Sequence, residues 1–230
     1  MRCGVAALAA TALLALAPVG AADPASLRTA CAAFGGVVGA DQFCQVHDTS
    51  AISDLTLQFP VDYPDGPAVA DYLTRSRENF LDRVDANPAP ARAAPFALAV
   101  VGRVYQSGDR QSGTQSLVLT VGDDTGVHPV TIFKTFNYDL AARAPITFAT
   151  LFQPGSDPVS VLNPLVRPMI SARDPAAPAA RGELTAASYQ QFAITDDVIT
   201  FFFNQDGLLP HEDGPLEVAV PRGGIASILR

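Results

Sequence analysis

The chain has 230 residues, 48% of them hydrophobic and 17% charged, with 15 Lys+Arg against 23 Asp+Glu and a formal net charge of −8. That length holds one sizeable core rather than several domains, and the low charge content excludes a charge-driven disordered chain. The acidic balance argues against a protein built to neutralise nucleic-acid phosphates and against a polybasic anchor to anionic membranes.

Residues Met1 to Ala22 read as a secretory signal peptide. Arg2 gives a thin positive start, Val5 to Ala17 is uncharged and rich in Ala and Leu, and Pro18 and Gly20 break the run ahead of small residues at Val19, Gly20 and Ala21. An uncleaved anchor is the rival reading, but the run falls short of the ~20 residues that a spanning helix needs. Residues 23–230 are then expected to form a single exported domain. Without the leader two cysteines remain, Cys31 and Cys44, and an even count in an exported chain predicts a disulfide. Closing the short loop between them stabilises by ~3 kcal/mol through loop-closure entropy. Two free buried thiols are the alternative. A metal site is disfavoured, because Cys44 and His47 form one isolated C-x-x-H with no second cluster at ligand spacing.

The first clear strand is Asp54 to Phe59, with Leu55, Leu57 and Phe59 alternating with polar residues. The turn Tyr63-Pro64-Asp65-Gly66-Pro67 hands over to a helix from about Ala68 to Val84, with Val69, Tyr72, Leu73, Phe80 and Val84 on one face. Asp85 to Pro95 is proline-rich and reads as a connection. A three-strand meander follows: Phe96 to Tyr105, Thr114 to Val121 and His128 to Tyr138, joined by the polar loop Gln106 to Gly113 and the turn Gly122 to Gly126. Asp157 or Ser160 starts a helix over Val161 to Ile170, which Pro164 and Pro168 require to be short or kinked. Ala176 to Gly182 is loose, and Glu183 to Gln191 forms one or two helical turns. Phe192 to Thr195 and Val198 to Phe203 form a hairpin around Asp196-Asp197, and the aromatic run Phe201 to Phe203 reads as a buried central strand. Leu216 to Val220 is the last strand, with a short helix over Pro221 to Ile228. Strands outnumber helices without regular alternation. The expected class is therefore α+β: a single domain with a largely antiparallel sheet and one long helix packed on it.

The three histidines, His47, His128 and His211, limit the chemistry, because a Ser-His-acid hydrolase needs one of them as base. The Gly-x-Ser-x-Gly elbow does not occur. Ser107 and Ser112 share one glycine-bearing loop, a suitable place for a nucleophile and equally for a solvated turn. His128 stands just after Asp123 and Asp124, which reads either as a base oriented by a carboxylate or as a surface His beside a polar turn. His211 lies in the charged turn His211-Glu212-Asp213-Gly214. The chain lacks the phosphate-loop, dinucleotide and His-Glu-x-x-His motifs, and no cofactor or metal is expected.

Several segments carry a resemblance. They are Phe59-Pro60-Val61-Asp62-Tyr63-Pro64-Asp65, His128-Pro129, Phe136-Asn137-Tyr138 continuing to Pro145-Ile146-Thr147-Phe148, and Tyr189 to Asp197. Phe201-Phe202-Phe203, Gly207-Leu208-Leu209-Pro210 and Val220-Pro221-Arg222 complete the set. From about Cys31 to Leu229 the chain resembles the secreted mycobacterial family that contains the MPT-type immunogenic protein and a cell-wall-associated esterase. That domain also resembles the ectodomain of RsiV-type anti-sigma factors, which bind lysozyme. The resemblance implies an exported α+β domain with β-grasp-like features, and the cysteine pair falls where the family has its pair.

Two functions follow. In the first, the protein is a secreted or envelope-associated carboxylesterase acting on short to medium acyl esters. His128 is then the base, Ser107 or Ser112 the nucleophile and Asp123 or Asp124 the orienter, with amides near Gly108 or Gly113 facing the oxyanion. In the second, it is a non-catalytic exported module that binds a host or envelope protein. Both give a monomer with no nucleic-acid partner and no transmembrane segment after the leader is removed.

Overall fold

The computed structural model describes residues 25–87, 95–125, 128–174 and 184–230. The expected leader lies outside them, as do most of the proline-rich connection after the first long helix, the tip of the turn at Gly126, and the Ala- and Pro-rich stretch before Leu184.

Helix α1 (Ala25–Ala33) precedes a run of strands: β1 (Val37–Val38), β2 (Phe43–Thr49) and β3 (Ser53–Pro60). Cys31 of α1 is bonded to Cys44 of β2, with their Cα atoms 5.8 Å apart, so the disulfide staples the first helix to the sheet. Helix α2 (Gly66–Asp85) then carries the chain back across that sheet to β4 (Phe96–Ser107), which pairs parallel with β3. A parallel pair needs such a crossover, whereas the hairpins that follow do not. Strands β5 (Thr114–Asp124), β6 (Val130–Asp139) and β7 (Ala144–Pro145) continue antiparallel, giving a seven-stranded sheet in sequential order. The β4–β5–β6 meander is the one read from the sequence.

Pro67 lies in the first turn of α2, where its missing N–H costs nothing. Val69, Leu73, Phe80 and Val84 are buried along one stripe of the helix. They pack on Leu55, Leu57 and Phe59 of β3, Leu98 and Val100 of β4, and Leu117, Leu119 and Val121 of β5. Side chains alternate across a strand, so Ser116 and Val118 face the other way.

A second, three-stranded sheet covers that other face: β8 (Phe192–Ile194), β9 (Val198–Phe203) and β10 (Leu216–Pro221), in the order β10-β9-β8. β9 is its central strand, and its phenylalanines divide by parity. Phe202 joins Val118 and Phe133 against the large sheet, while Phe201 and Phe203 join a separate core with Val218, Val220 and Tyr189. The short helix α3 (Phe148–Leu151) and helix α4 (Pro158–Arg173) close that core, α4 through Leu162, Val166 and Ile170.

The 16-residue α4 contains both Pro164 and Pro168 and extends past both ends of the expected Val161 to Ile170, so it is not the short helix that the prolines allowed. The prolines stand four residues apart on the exposed side, opposite the buried stripe. The carbonyls they leave without a helical donor lie on the solvated face, where water satisfies them. Asp157 caps the start, its carboxylate accepting from the Ser160 N–H at 3.2 Å. The last expected helix is a 3-10 turn, Arg222–Gly224, after which Leu229 bridges to Phe152.

The joint between the two sheets is largely polar. The edge of β6 that β7 leaves uncovered is met by carboxamides: Thr131 N–H donates to Gln205 Oε1 at 2.8 Å, Phe133 N–H to Asn204 Oδ1 at 2.7 Å, and Thr135 N–H to Gln191 Oε1 at 2.8 Å. Three side chains thereby stand where a neighbouring strand would, and the edge is closed to further pairing. Ile194 N–H donates to Ser116 Oγ at 3.0 Å, and Asn137 Nδ2 donates to the Phe192 carbonyl at 2.9 Å.

Candidate functional site

The loop expected over Gln106 to Gly113 begins two residues later, at Gly108, because Gln106 still pairs with Gln115 and Ser107 with Thr114 at the end of the β4–β5 ladder. The loop turns tightly on Gly108, at φ +69°, and on Gly113. A Cβ on Gly113 would lie 2.1 Å from the Ser107 carbonyl oxygen, so only glycine lets the loop close on itself.

That closure fixes Ser107, which is 7% exposed. Its hydroxyl donates to Asp196 Oδ1 at 3.1 Å and accepts from Arg222 Nη1 at 3.0 Å. Asp196 sits in the β8–β9 turn and also accepts from the Gly108 N–H at 2.6 Å. Arg222 follows β10 and donates as well to the Thr195 carbonyl at 3.1 Å. The Gly108 N–H, and after it the Ser107 hydroxyl, stabilise the ionised carboxylate and hold Asp196 below its ordinary pKa, with the Arg222 charge adding to the effect. One corner therefore gathers a hydroxyl, a carboxylate and a guanidinium from three separate segments.

Behind this corner lies a cavity of about 500 Å³, where both sheets, α3 and the C-terminal segment meet. Pro145, Ile146, Leu151, Ile194, Ile199 and Leu229 form its apolar wall, with Ser107, Thr114 and Arg222 on the polar side. Thr114 Oγ1 is buried with no hydrogen-bond partner, an orphan of the sort that a ligand satisfies. The volume and the mix of apolar wall with a few convergent polar groups suit a small organic ligand. A second cavity of about 340 Å³, beside Gln191 and Asn204, is lined by no titratable group.

The five residues proposed from the sequence do not share one place. Ser107 and the exposed Ser112 stand at one end of the meander, while Asp123, Asp124 and His128 stand at the other. β5 runs the whole way between them, and eleven residues at strand rise span about 33 Å. Asp123 is engaged where it stands, accepting from the Thr125 N–H at 3.0 Å and pairing with Arg83 at 2.5 Å. Asp124 ends β5 beside it. The His128 ring faces that of His211, centroids 5.5 Å apart, and His211 Nδ1 lies 3.0 Å from Asp206 Oδ2. His47 Nδ1 lies 3.2 Å from Thr56 Oγ1. Among the described residues no serine hydroxyl is hydrogen-bonded to an imidazole, and no three His, Cys, Asp or Glu side chains group to hold a metal ion. No described helix is long and apolar enough to cross a membrane.

Asp196 and Arg222 carried no spacing signal, since they lie 89 and 115 residues from Ser107 in the chain. The sequence did mark both, as a hairpin turn and as part of Val220-Pro221-Arg222, but without connecting them.

Residues 149–223 match the family described as a protein of unknown function, DUF3298. That span holds α4, the small sheet, Asp196 and Arg222, and leaves out Ser107. The chain is 39% identical over 221 residues to Esterase Rv3036c of Mycobacterium tuberculosis, covering 95% of this chain and 96% of the other. It is 37% identical over 191 residues to Immunogenic protein MPT64 of the same organism, covering 82% of this chain and 83% of that one. A crystal structure of a DUF3298 family member from Bacteroides fragilis superimposes with a TM-score of 0.57 at 17% identity, over 84% of this chain and 95% of that one, and so shares its fold. The chain therefore belongs to the family that contains Esterase Rv3036c and Immunogenic protein MPT64.

Proposed function

We propose that the protein is an exported carboxylesterase that cleaves short to medium acyl esters, with Ser107 as the nucleophile and the acyl chain lodged in the cavity behind it. The observation that carries this reading is the Ser107 hydroxyl, fixed between a carboxylate and a guanidinium on the polar side of an apolar cavity of about 500 Å³. An ester has the matching polarity, with an apolar chain for the wall and a carbonyl for the charged corner. The 39% identity to a protein named an esterase, over nearly the whole chain, supports the reaction class. Export is supported by the leader-like start of the sequence and by the Cys31–Cys44 disulfide, a bond typical of oxidising compartments.

The test is fluorophosphonate labelling of the purified protein, run beside hydrolysis of p-nitrophenyl butyrate. Ser107 is expected to carry the label, and Ser107→Ala to lose both label and turnover while Ser112→Ala keeps both. A folded protein that neither labels nor hydrolyses overturns the reading. The separation of His128 from both serines favours a second reading, a binding module that holds an acyl chain or an envelope or host protein without cleaving it. Saturable binding of a fatty acid by a protein that does not label is the outcome that reading expects.

A further inference from the structure

We infer that ester cleavage at this site runs without histidine: Asp196 takes the proton of Ser107, and Arg222 holds the oxyanion. The inference rests on Ser107 being the nucleophile, and it names the groups that act on it.

The hydroxyl is already arranged for the step. It donates to the Asp196 carboxylate at 3.1 Å, within the reach required of a general base, and its oxygen accepts from the Arg222 guanidinium at 3.0 Å. All three imidazoles are engaged with other groups: His47 with Thr56, His211 with Asp206 and Gln205, and His128 against the His211 ring. A base drawn from the far end of β5 would have to cross the length of that strand. Asp196 is in place because the Gly108 N–H grips the same oxygen at 2.6 Å, so the loop carrying the nucleophile also positions the carboxylate.

As the bond from Ser107 Oγ to the acyl carbon forms, the hydroxyl proton passes to Asp196 and the carbonyl oxygen takes up the negative charge. That oxygen lies two bonds from Oγ, within reach of the same guanidinium. Arg222 spends Nη1 on Ser107 and Thr195, and its Nη2 has no protein partner among the described residues. Collapse of the tetrahedral species breaks the bond to the alcohol, which leaves with the proton from Asp196. Water, giving its proton to Asp196, then cleaves the acyl-enzyme, and the proton returns to Ser107. The bonds that hold Asp196 ionised also make it a weak base, so turnover is slow but persists into mild acid, where an imidazole with an ordinary pKa of about 6.5 would be protonated.

The measurement is the pH profile of kcat/KM for p-nitrophenyl butyrate in the wild type and in Asp196→Asn, Arg222→Gln, Ser107→Ala and His128→Ala. The wild type is expected to show no acid limb between pH 6 and 7, and His128→Ala to match it throughout. Asp196→Asn keeps an oxygen for the Gly108 and Ser107 donors and is expected to lower kcat by roughly 10²–10⁴-fold, with KM little changed. Arg222→Gln is expected to lose on the order of 10²–10³-fold in kcat. A purely structural Asp196 would lower the folded fraction without altering kcat per folded molecule, so near-ultraviolet circular dichroism accompanies each variant. The inference falls if Ser107→Ala is inactive while Asp196→Asn keeps full kcat, or if an acid limb near pH 6.5 disappears in His128→Ala. The nucleophile reading itself falls, and the inference with it, if Ser107→Ala stays active or the wild type hydrolyses nothing.

Discussion

The two faces of the seven-stranded sheet are held by different physics. Toward α2 the contact is apolar and continuous, from Leu55, Leu57 and Phe59 through Leu117 and Leu119 to Val69, Leu73 and Phe80 on the helix. Toward the small sheet the apolar contact shrinks to Val118, Phe133, Ala193 and Phe202 with part of Tyr105, and hydrogen bonds from Ser116, Thr135, Asn137, Gln191, Asn204 and Gln205 supply the rest. An apolar interface is fixed by volume and tolerates small rotations. A polar one is fixed by direction, because a buried donor that misses its acceptor loses the whole of its hydration energy. The site lies on the second kind of interface. Asp196 belongs to the small sheet's first hairpin turn and Ser107 to the large sheet, so the corner exists only while the two sheets are in register.

Adjacent residues of β5 test this contrast. Leu117 points to α2 and Ser116 to β8, and both are 0% exposed. Leu117→Ala is expected to cost about 2–5 kcal/mol, the range for emptying a well-packed aliphatic site. Urea unfolding followed by tyrosine fluorescence measures it, and a loss below 1 kcal/mol would mean that the α2 interface is not packed as described. Removing the Cys31–Cys44 bridge in a double alanine variant is expected to cost about 3 kcal/mol, from a loop of 13 residues, and to act on the same side of the sheet. Neither change reaches Ser107, so activity per folded molecule should persist in both.

Ser116→Ala removes the acceptor of the Ile194 N–H, and an unsatisfied buried donor costs about 1–3 kcal/mol. This smaller loss carries the larger consequence for the site, because Ile194 lines the cavity and stands two residues before Asp196. Fluorophosphonate labelling of Ser107 is expected to slow in Ser116→Ala at a pH and temperature where the protein remains folded, and to be unchanged in Leu117→Ala. Equal labelling in both variants would show that the polar joint does not set the register of the site.

The same division accounts for what the sequence disclosed. The meander, the long helix and the β8–β9 hairpin were legible because their apolar residues recur at two or 3.6 positions, and that periodicity is the imprint of an apolar interface. Phe201-Phe202-Phe203 read correctly as a buried central strand, although the parity that sends Phe202 to one core and its neighbours to another needs the second sheet. α1 and β2 escaped notice, since each carries few large apolar residues and leans on the disulfide. The continuity of α4 through two prolines followed from their shared exposed face, which no local rule supplies. Least legible was the corner itself: Gln191, Asn204, Asp196 and Arg222 are ordinary polar residues until the fold brings them to strand edges and to Ser107. The resemblance to the esterase and immunogenic proteins covered what periodicity missed at the level of family, but beyond the Cys31–Cys44 pair it named no residues in contact.

The smallest expected effect concerns the acid side of stability. Asp196 has its folded pKa lowered by the Gly108 N–H and then by the Ser107 hydroxyl, and a lowered carboxylate pKa means that the folded state binds the proton less readily than the unfolded chain does. The stabilisation from these bonds is therefore complete above the unfolded value, near 3.9 for an aspartate, and is lost as pH falls through the folded one. Asp196→Asn cannot gain or lose that proton. The urea midpoint of the wild type should exceed that of the variant at pH 7, and the gap should narrow steadily below pH 4. Asp196 is exposed, so water and salt screen part of the effect, and 1 M sodium chloride should shrink the pH 7 gap further. A gap that stays constant from pH 7 to pH 3 would mean that the carboxylate's charge contributes nothing to joining the sheets, and that neutral hydrogen bonds alone hold the corner in place.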